Sequence, residues 1–175
     1  FVTTCSTACS SAANAFILGA NLIRSGRFDR VVVGGSECLS RFHFNGFRAL
    51  MILDSDPCRP FSHDRAGLNL GEGAAFVVLE RESAARARGV RPLAVLEGWG
   101  NACDAYHQTA TSENGEGPYL TMTQALRRAG VAPRDVDYVN AHGTATPNND
   151  VTESAALRRV FGDNLPHISS TKAFT

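Results

Sequence analysis

Three residues combine a reactive side chain with a setting that could put it to use: Cys9, His142 and Lys172. Cys9 lies in "TTCSTACSSAANAF" (3–16), just where an amphipathic pattern begins. A thiol is a weak nucleophile near its free pKa of about 8.5, and a helix N-terminus favours the thiolate. The N–H groups of such a terminus can also hold an oxyanion developing on a carbonyl. Ala8, Ser10, Ser11 and Ala12 are small enough to leave room for an acyl group beside the sulfur. Taken alone, Cys9 reads more readily as an inert buried cysteine, and its context has to overturn that. His142, in "NAHGTATPNND" (140–150), follows an apolar strand pattern on a Gly-containing turn, and Lys172, in "SSTKAFT", follows another. Strand ends gather at one rim of an α/β sheet, so three polar groups at three strand ends form a constellation.

The elements that must position them alternate in type. "FVTT" (1–4) reads as the end of a strand, with Ser10 and Ser11 capping a helix whose Ala13, Phe16, Ile17, Ala20 and Ile23 keep a 3.6-residue period. Gly26 ends it, and "RVVVGGSE" (30–37) is a buried strand, so 1–37 is expected as a parallel strand–helix–strand unit. Residues 38–70 read as loop, "AAFVVLE" (74–80) as a second strand followed by a short helix closed at Gly89, and "PLAVLEGWG" (92–100) as a third strand. The long stretch 101–118 lacks periodicity, and His107 within it either faces a ligand or does not. Helices are expected over 119–130 and 150–162, the latter with Asp150 as N-cap and Glu153 completing a capping box, and a strand running into a polar turn over 136–146. The fold class is α/β with mixed sheets.

Several functions are disfavoured by composition. Seventeen basic side chains balance seventeen acidic ones, which gives no reason to expect nucleic acid or a membrane surface as partner. The longest apolar run is far shorter than the roughly 18 residues of a membrane span, and no secretory leader is visible. Five cysteines without a CxxC pair argue against a disulfide framework or a metal site and for a reducing cytoplasm. Gly71-Glu72-Gly73 leads into a strand and lacks a third glycine, so dinucleotide binding is rejected. His63, Asp64 and Arg65 read as a structural ion-pair group.

Six motifs in order give the chain a resemblance to the elongating β-ketoacyl-acyl-carrier-protein synthases, which are thiolase-fold condensing enzymes. They are "TACSSA" (7–12), "VVVGGSE" (31–37), "RPFSHDRAGLNLGEGAAFVVLE" (59–80), "DAYHQTATSENGEG" (104–117), "YVNAHGTATPNNDVTE" (138–153) and "SSTKAFT" (169–175). The resemblance implies a thiolase-like α/β fold of mixed five-stranded sheets with helices in layers. Residues 1–91 would be the end of an N-terminal half carrying the nucleophile, and 92–175 the start of a C-terminal half. It implies that Cys9 accepts an acyl chain from a carrier-protein phosphopantetheine arm. A malonyl group on a second carrier then loses carbon dioxide and attacks the acyl-Cys9 carbonyl, in fatty-acid or polyketide elongation. His142 matches the histidine at the malonyl thioester oxygen, Lys172 the lysine that organises the site, and Glu153 an acidic neighbour. Thr144, Thr146 and His107 are expected to bind substrate.

The same resemblance implies acyl carrier protein as partner, no cofactor beyond the phosphopantetheine that the carrier brings, no metal, and a homodimer with "FVTT" pairing across it. A second histidine and a glycine-rich gating loop would follow Thr175, so these 175 residues by themselves are expected to be poorly stable and not to turn over. Four alternatives stand beside this reading: the ketosynthase of a type II polyketide system, a silent chain-length partner, a thiolase, and a cysteine hydrolase using Cys9 and His142. Cys9 speaks against the silent partner, and "AHGTATPNND" with "STK" against the thiolase.

Overall fold

The periodic stretch after Cys9 forms helix α1 (Ser11–Arg24). It lies against a hairpin-like pair of strands, β1 (Arg30–Glu37) and β2 (Gly73–Glu80). The contact is close because Gly19 has no side chain: a Cβ there would stand 2.5 Å from a Val33 methyl. Ala20, Ile23 and Val33 are buried in this small core, where a fully buried aliphatic side chain contributes about 1.5–3 kcal/mol. The computed structural model in which these elements are seen describes residues 1–107 and 110–174.

Residues 1–38 and 72–96 form one compact unit, and residues 39–71 and 97–174 belong to a second. In the first, β1 and β2 run antiparallel in the register Arg30↔Glu80 to Glu37↔Gly73. This corrects the expected parallel unit over 1–37, since residues 1–4 form no strand. Val2 lies almost fully exposed, with no ladder to join. Alternation puts Val32, Phe76 and Val78 on the sheet face away from α1, each more than 60% exposed. Helix α3 (Glu82–Ala87) follows β2 and closes at Gly89 as expected. Residues 92–100 are not a strand, and Leu93 and Val95 are exposed.

The second unit begins with a helix that the sequence reading missed, α2 (Arg41–Ala49), in the stretch read as loop. Ser40 caps it by accepting the His43 N–H at 3.1 Å. Its interior carries Asn45-Gly46, a pair that reads as a turn, and none of its side chains is buried. The long loop leads to α4 (Glu116–Ala129), which stops at Gly130 in the left-handed region and packs on α5 (Pro147–Phe161). Across these helices Arg159 pairs with Glu116 at 2.8 Å and lies over the Tyr119 ring. The remaining strands are β3 (Tyr138–Asn140) and β4 (His167–Ser169), short and parallel, with α5 as their crossover. Parallel strands place their C-terminal ends on one edge. The turn holding His142 leaves β3 at that edge, and the 3₁₀ turn holding Lys172 (Thr171–Ala173) leaves β4 beside it.

Among the described residues there are two two-stranded sheets, where five-stranded ones were expected. No helix among them is long and apolar enough to cross a membrane.

Candidate active site

Cys9 sits on a tight turn in the first unit. Ala8 before it adopts φ +52°, a left-handed conformation that costs a non-glycine residue roughly 1–2 kcal/mol. Local hydrogen bonds hold that turn. The Ser11 hydroxyl donates to the Ala8 carbonyl at 2.6 Å and accepts the Thr7 N–H at 2.8 Å, and the Ser10 hydroxyl donates to the Thr7 carbonyl at 2.8 Å. The two serines therefore secure the bend on which Cys9 stands and do not cap α1 with their side chains, which corrects their expected role. The Cys9 residue is exposed, two positions before the first residue of the helix. Cys58 is the opposite case: it is buried, and that burial, followed by the negative charge of Asp150, pushes its thiol pKa up. In an intact protein carrying this chain, brief iodoacetamide treatment at neutral pH should label Cys9 first and Cys58 last, with Cys5, Cys38 and Cys103 between. Peptide mass mapping reads the order, and equal labelling at all five would remove the case for an activated Cys9.

In the second unit the turn after β3 is held from several sides. Glu153, in the second turn of α5, accepts the N–H of His142 at 2.7 Å and of Gly143 at 2.8 Å. The expected capping box is thus replaced by a carboxylate clamp on the His142 turn. Gly143 has φ +39°, and a Cβ there would stand 2.6 Å from the Ser170 Cβ, so no other residue fits. Asp150 lies inside the first turn of α5, whose N-cap is Thr146, so its expected capping place is corrected too. Only 2% exposed, its carboxylate accepts Phe61 N–H at 2.7 Å, Ala145 N–H at 3.1 Å and the Asn149 amide at 3.1 Å, with Arg65 Nε 3.7 Å away. Arg65 therefore joins this network, whereas Asp64 pairs with Arg59 at 3.4 Å.

Lys172 meets His142 directly. Its ammonium donates to the His142 carbonyl at 2.6 Å and stands 3.3 Å from His142 Nδ1. An ammonium has only donors, so Nδ1 must accept, and the ring proton of neutral His142 resides on Nε2. Packing around the ring, and then the Lys172 charge, lower the His142 pKa from its ordinary 6.5, while Glu153 and Asp150 act in the opposite sense. Part of the residue is open to solvent, which weakens the first cause, but the lysine acts in the same direction. At neutral pH His142 is therefore a neutral imidazole with an Nε2–H to donate.

Thr144 and Thr146 are buried beside this turn with their hydroxyls 2.7 Å apart. His107 is not drawn into the group. It is exposed, and its Nδ1 accepts the Ala110 N–H at 3.2 Å. The loop around it is ordered by Asp104, whose carboxylate accepts the N–H of Ser112 at 2.9 Å and of Tyr106 at 3.2 Å. The Ser112 bond chiefly holds that carboxyl below its ordinary pKa. Asn148 on α5 accepts Thr111 N–H and ties the loop's far side down. The structure thus groups His142, Lys172, Glu153, Thr144 and Thr146, while Cys9 belongs to the first unit. One signal for Lys172 lay unused in the composition: of the 17 basic residues it is the only lysine. Where arginine serves everywhere else, a position that keeps a compact ammonium calls for that shape.

Residues grouped at strand ends on an α/β framework agree with the thiolase-like fold that the resemblance implies, and comparison with known proteins carries this to the family. The model of the β-ketoacyl synthase N-terminal domain matches residues 1–85, and that of the C-terminal domain matches residues 93–175. The chain belongs to the β-ketoacyl synthase family. The two matched domains divide it by sequence, whereas packing assigns 39–71 to the second unit. It is 38% identical over 182 residues to 3-oxoacyl-[acyl-carrier-protein] synthase 2 of Staphylococcus aureus, covering 99% of this chain and 44% of that protein. Among solved structures it is similar to the ketosynthase ApeO of Xenorhabdus doucetiae, in complex with its chain length factor ApeC. That match has 42% identity and a TM-score of 0.89, over 98% of this chain and 41% of that one. It also matches AntDE:AntF, a type II polyketide acyl-carrier protein in complex with its ketosynthase, with 33% identity and a TM-score of 0.95, over all of this chain and 45% of that one. The chain therefore spans less than half the length of these relatives.

Proposed function

We propose that this chain forms part of a β-ketoacyl-acyl-carrier-protein synthase, an acyltransferase that performs decarboxylative Claisen condensation. The observation that carries the reading is the Lys172 ammonium on His142 Nδ1 and carbonyl, which leaves Nε2–H as donor. In the first half-reaction the Cys9 thiolate attacks an acyl thioester, and the carrier's phosphopantetheine leaves as a thiolate that takes up the proton Cys9 had released. In the second, the carboxylate of a malonyl thioester leaves as carbon dioxide, and its electron pair forms an enolate. His142 Nε2–H donates to the enolate oxygen, a bond that strengthens as negative charge develops there. The enolate carbon then attacks the acyl-Cys9 carbonyl, the Cys9 thiolate leaves, and a β-ketoacyl thioester remains on the carrier. Thr144 and Thr146 share one hydroxyl proton beside the His142 turn and would line the path of the carrier's arm.

On this reading the partners are an acyl carrier protein and a second subunit of the same family, and no cofactor is needed beyond the carrier's phosphopantetheine. Five free cysteines suit the reducing cytoplasm. The resemblance to ApeO and to AntDE:AntF favours a second version, elongation in a type II polyketide system beside a chain-length subunit. Feeding the intact protein either fatty-acid or polyketide carriers separates the two.

Lys172 tests the reading. In the intact protein Lys172→Ala should lose condensation by about a hundredfold or more, and Lys172→Arg should keep a small part, since a guanidinium carries the charge without the compact shape. The rate of β-ketoacyl formation is the measurement. Full activity in Lys172→Ala would return Lys172 to the class of surface charges.

A further inference from the structure

The pairing of Lys172 with His142 needs two separate turns held at a fixed spacing, and one side chain bridges them. Ser170, only 6% exposed, lies between the end of β4 and the Lys172 turn. Its hydroxyl donates to the Gly143 carbonyl at 3.0 Å, with the His142 carbonyl at 3.4 Å, and accepts the Lys172 N–H at 3.4 Å. Its Cβ fills the space that Gly143 leaves open. Gly143 is therefore gripped on both peptide faces, its N–H by Glu153 and its carbonyl by Ser170. Asn140 adds a second tie between the segments, its side-chain oxygen accepting the Thr171 N–H at 3.2 Å.

We propose that Ser170 is a positioning residue for the reaction: its hydroxyl couples the His142 turn to the Lys172 turn and so sets the ammonium on Nδ1 of the imidazole. This rests on the condensation reading for its catalytic consequence and on geometry alone for its effect on His142. A serine that merely capped the 3₁₀ turn would affect local order and leave the imidazole unchanged. A coupling serine must change the state of His142. The charged groups around that ring are Lys172, Glu153 and Asp150, and of these only Lys172 opposes protonation. Slackening the Lys172 turn therefore moves the His142 titration up, towards the ordinary imidazole value, and mixes the two neutral tautomers.

The experiment uses the intact protein with ¹⁵N-labelled histidine, the His142 signals being identified by their loss in His142→Gln. Ser170→Ala keeps the Cβ beside Gly143 and removes only the hydroxyl, and Ser170→Thr restores it. In Ser170→Ala we expect an upward shift of the His142 midpoint, a loss of pure Nε2–H tautomer, and a fall in kcat for malonyl decarboxylation of about ten- to a hundredfold. The KM for the malonyl carrier should hold within about twofold, and Ser170→Thr should recover most of each change. Should Ser170→Ala fold poorly, Ser170→Cys fills the same slot with a weaker hydrogen-bonding group and must fall between wild type and alanine. An unchanged His142 tautomer and midpoint in the substituted protein, or a loss confined to KM, overturns the proposal. A wild type that releases no carbon dioxide from malonyl carrier would sink the functional reading instead, and the nitrogen spectra would still decide the role of Ser170.

Discussion

His142→Ala in the intact protein should lower malonyl decarboxylation by about a hundred- to a thousandfold while acyl transfer to Cys9 proceeds. On the proposed reading the two half-reactions part because His142 donates to an oxygen that becomes negative only in the second. Its neutral state gives the pH profile a definite sign. The native pKa is below the ordinary 6.5, so decarboxylation holds its rate as pH falls through 6.5 and declines only lower, when Nδ1 gains a proton and competes with Lys172. Folding runs the same way. Below pH 6.5 the unfolded chain binds this proton first, so the contribution of His142 to stability is present above that pH and lost as the pH drops. Stopped-flow carbon dioxide release and mass analysis of acyl-Cys9 separate the steps. A variant that released carbon dioxide normally yet could not be acylated would reverse the assignment.

The largest effect on stability is expected at Asp150. Its carboxylate, 2% exposed, holds Phe61 and Ala145, both in the left-handed region at φ +61°, and faces Arg65. Asp150→Ala leaves two backbone donors without their acceptor and a largely buried guanidinium without its partner charge, which should cost about 3–5 kcal/mol. Asp150→Asn should also destabilise, because one of its ends must turn an NH₂ group towards a donor. Urea unfolding of the intact protein measures both. A change in Asp150→Ala below about 1 kcal/mol would show that other groups hold the 61 and 145 turns.

The His142 and Lys172 part of the site was legible because residues at strand ends are a property of order along the chain, and β3–α5–β4 realises it with local pieces. Cys9, expected at a third strand end, stands on a turn that no strand precedes. Cys9 before a helix, His142 after β3 and Lys172 after β4 could be placed by period and punctuation alone. Less legible was whatever depends on partners distant in sequence. Asp150 looked like a cap because helix signals are local, whereas its real partners include Phe61, 89 positions away. Glu153 fitted a capping box by spacing, but its oxygens serve the turn ahead of the helix. Residues 1–4 and 92–100 have strand composition and no ladder, since β-propensity acts only where a partner edge is present. Helix α2 was hidden for another local reason: its interior carries Asn45-Gly46, a pair that reads as a turn.

The central claim is that the chemistry is carbon–carbon bond formation driven by loss of carbon dioxide. The most direct measurement incubates the intact protein with an acyl carrier and a malonyl carrier and identifies the carrier-bound product by mass. The expected product is a β-ketoacyl thioester two carbons longer than the acyl donor, formed in step with carbon dioxide and absent in Cys9→Ala. Free acid released from the acyl carrier, with the malonyl carrier left intact, would contradict it and make Cys9 the nucleophile of a hydrolase.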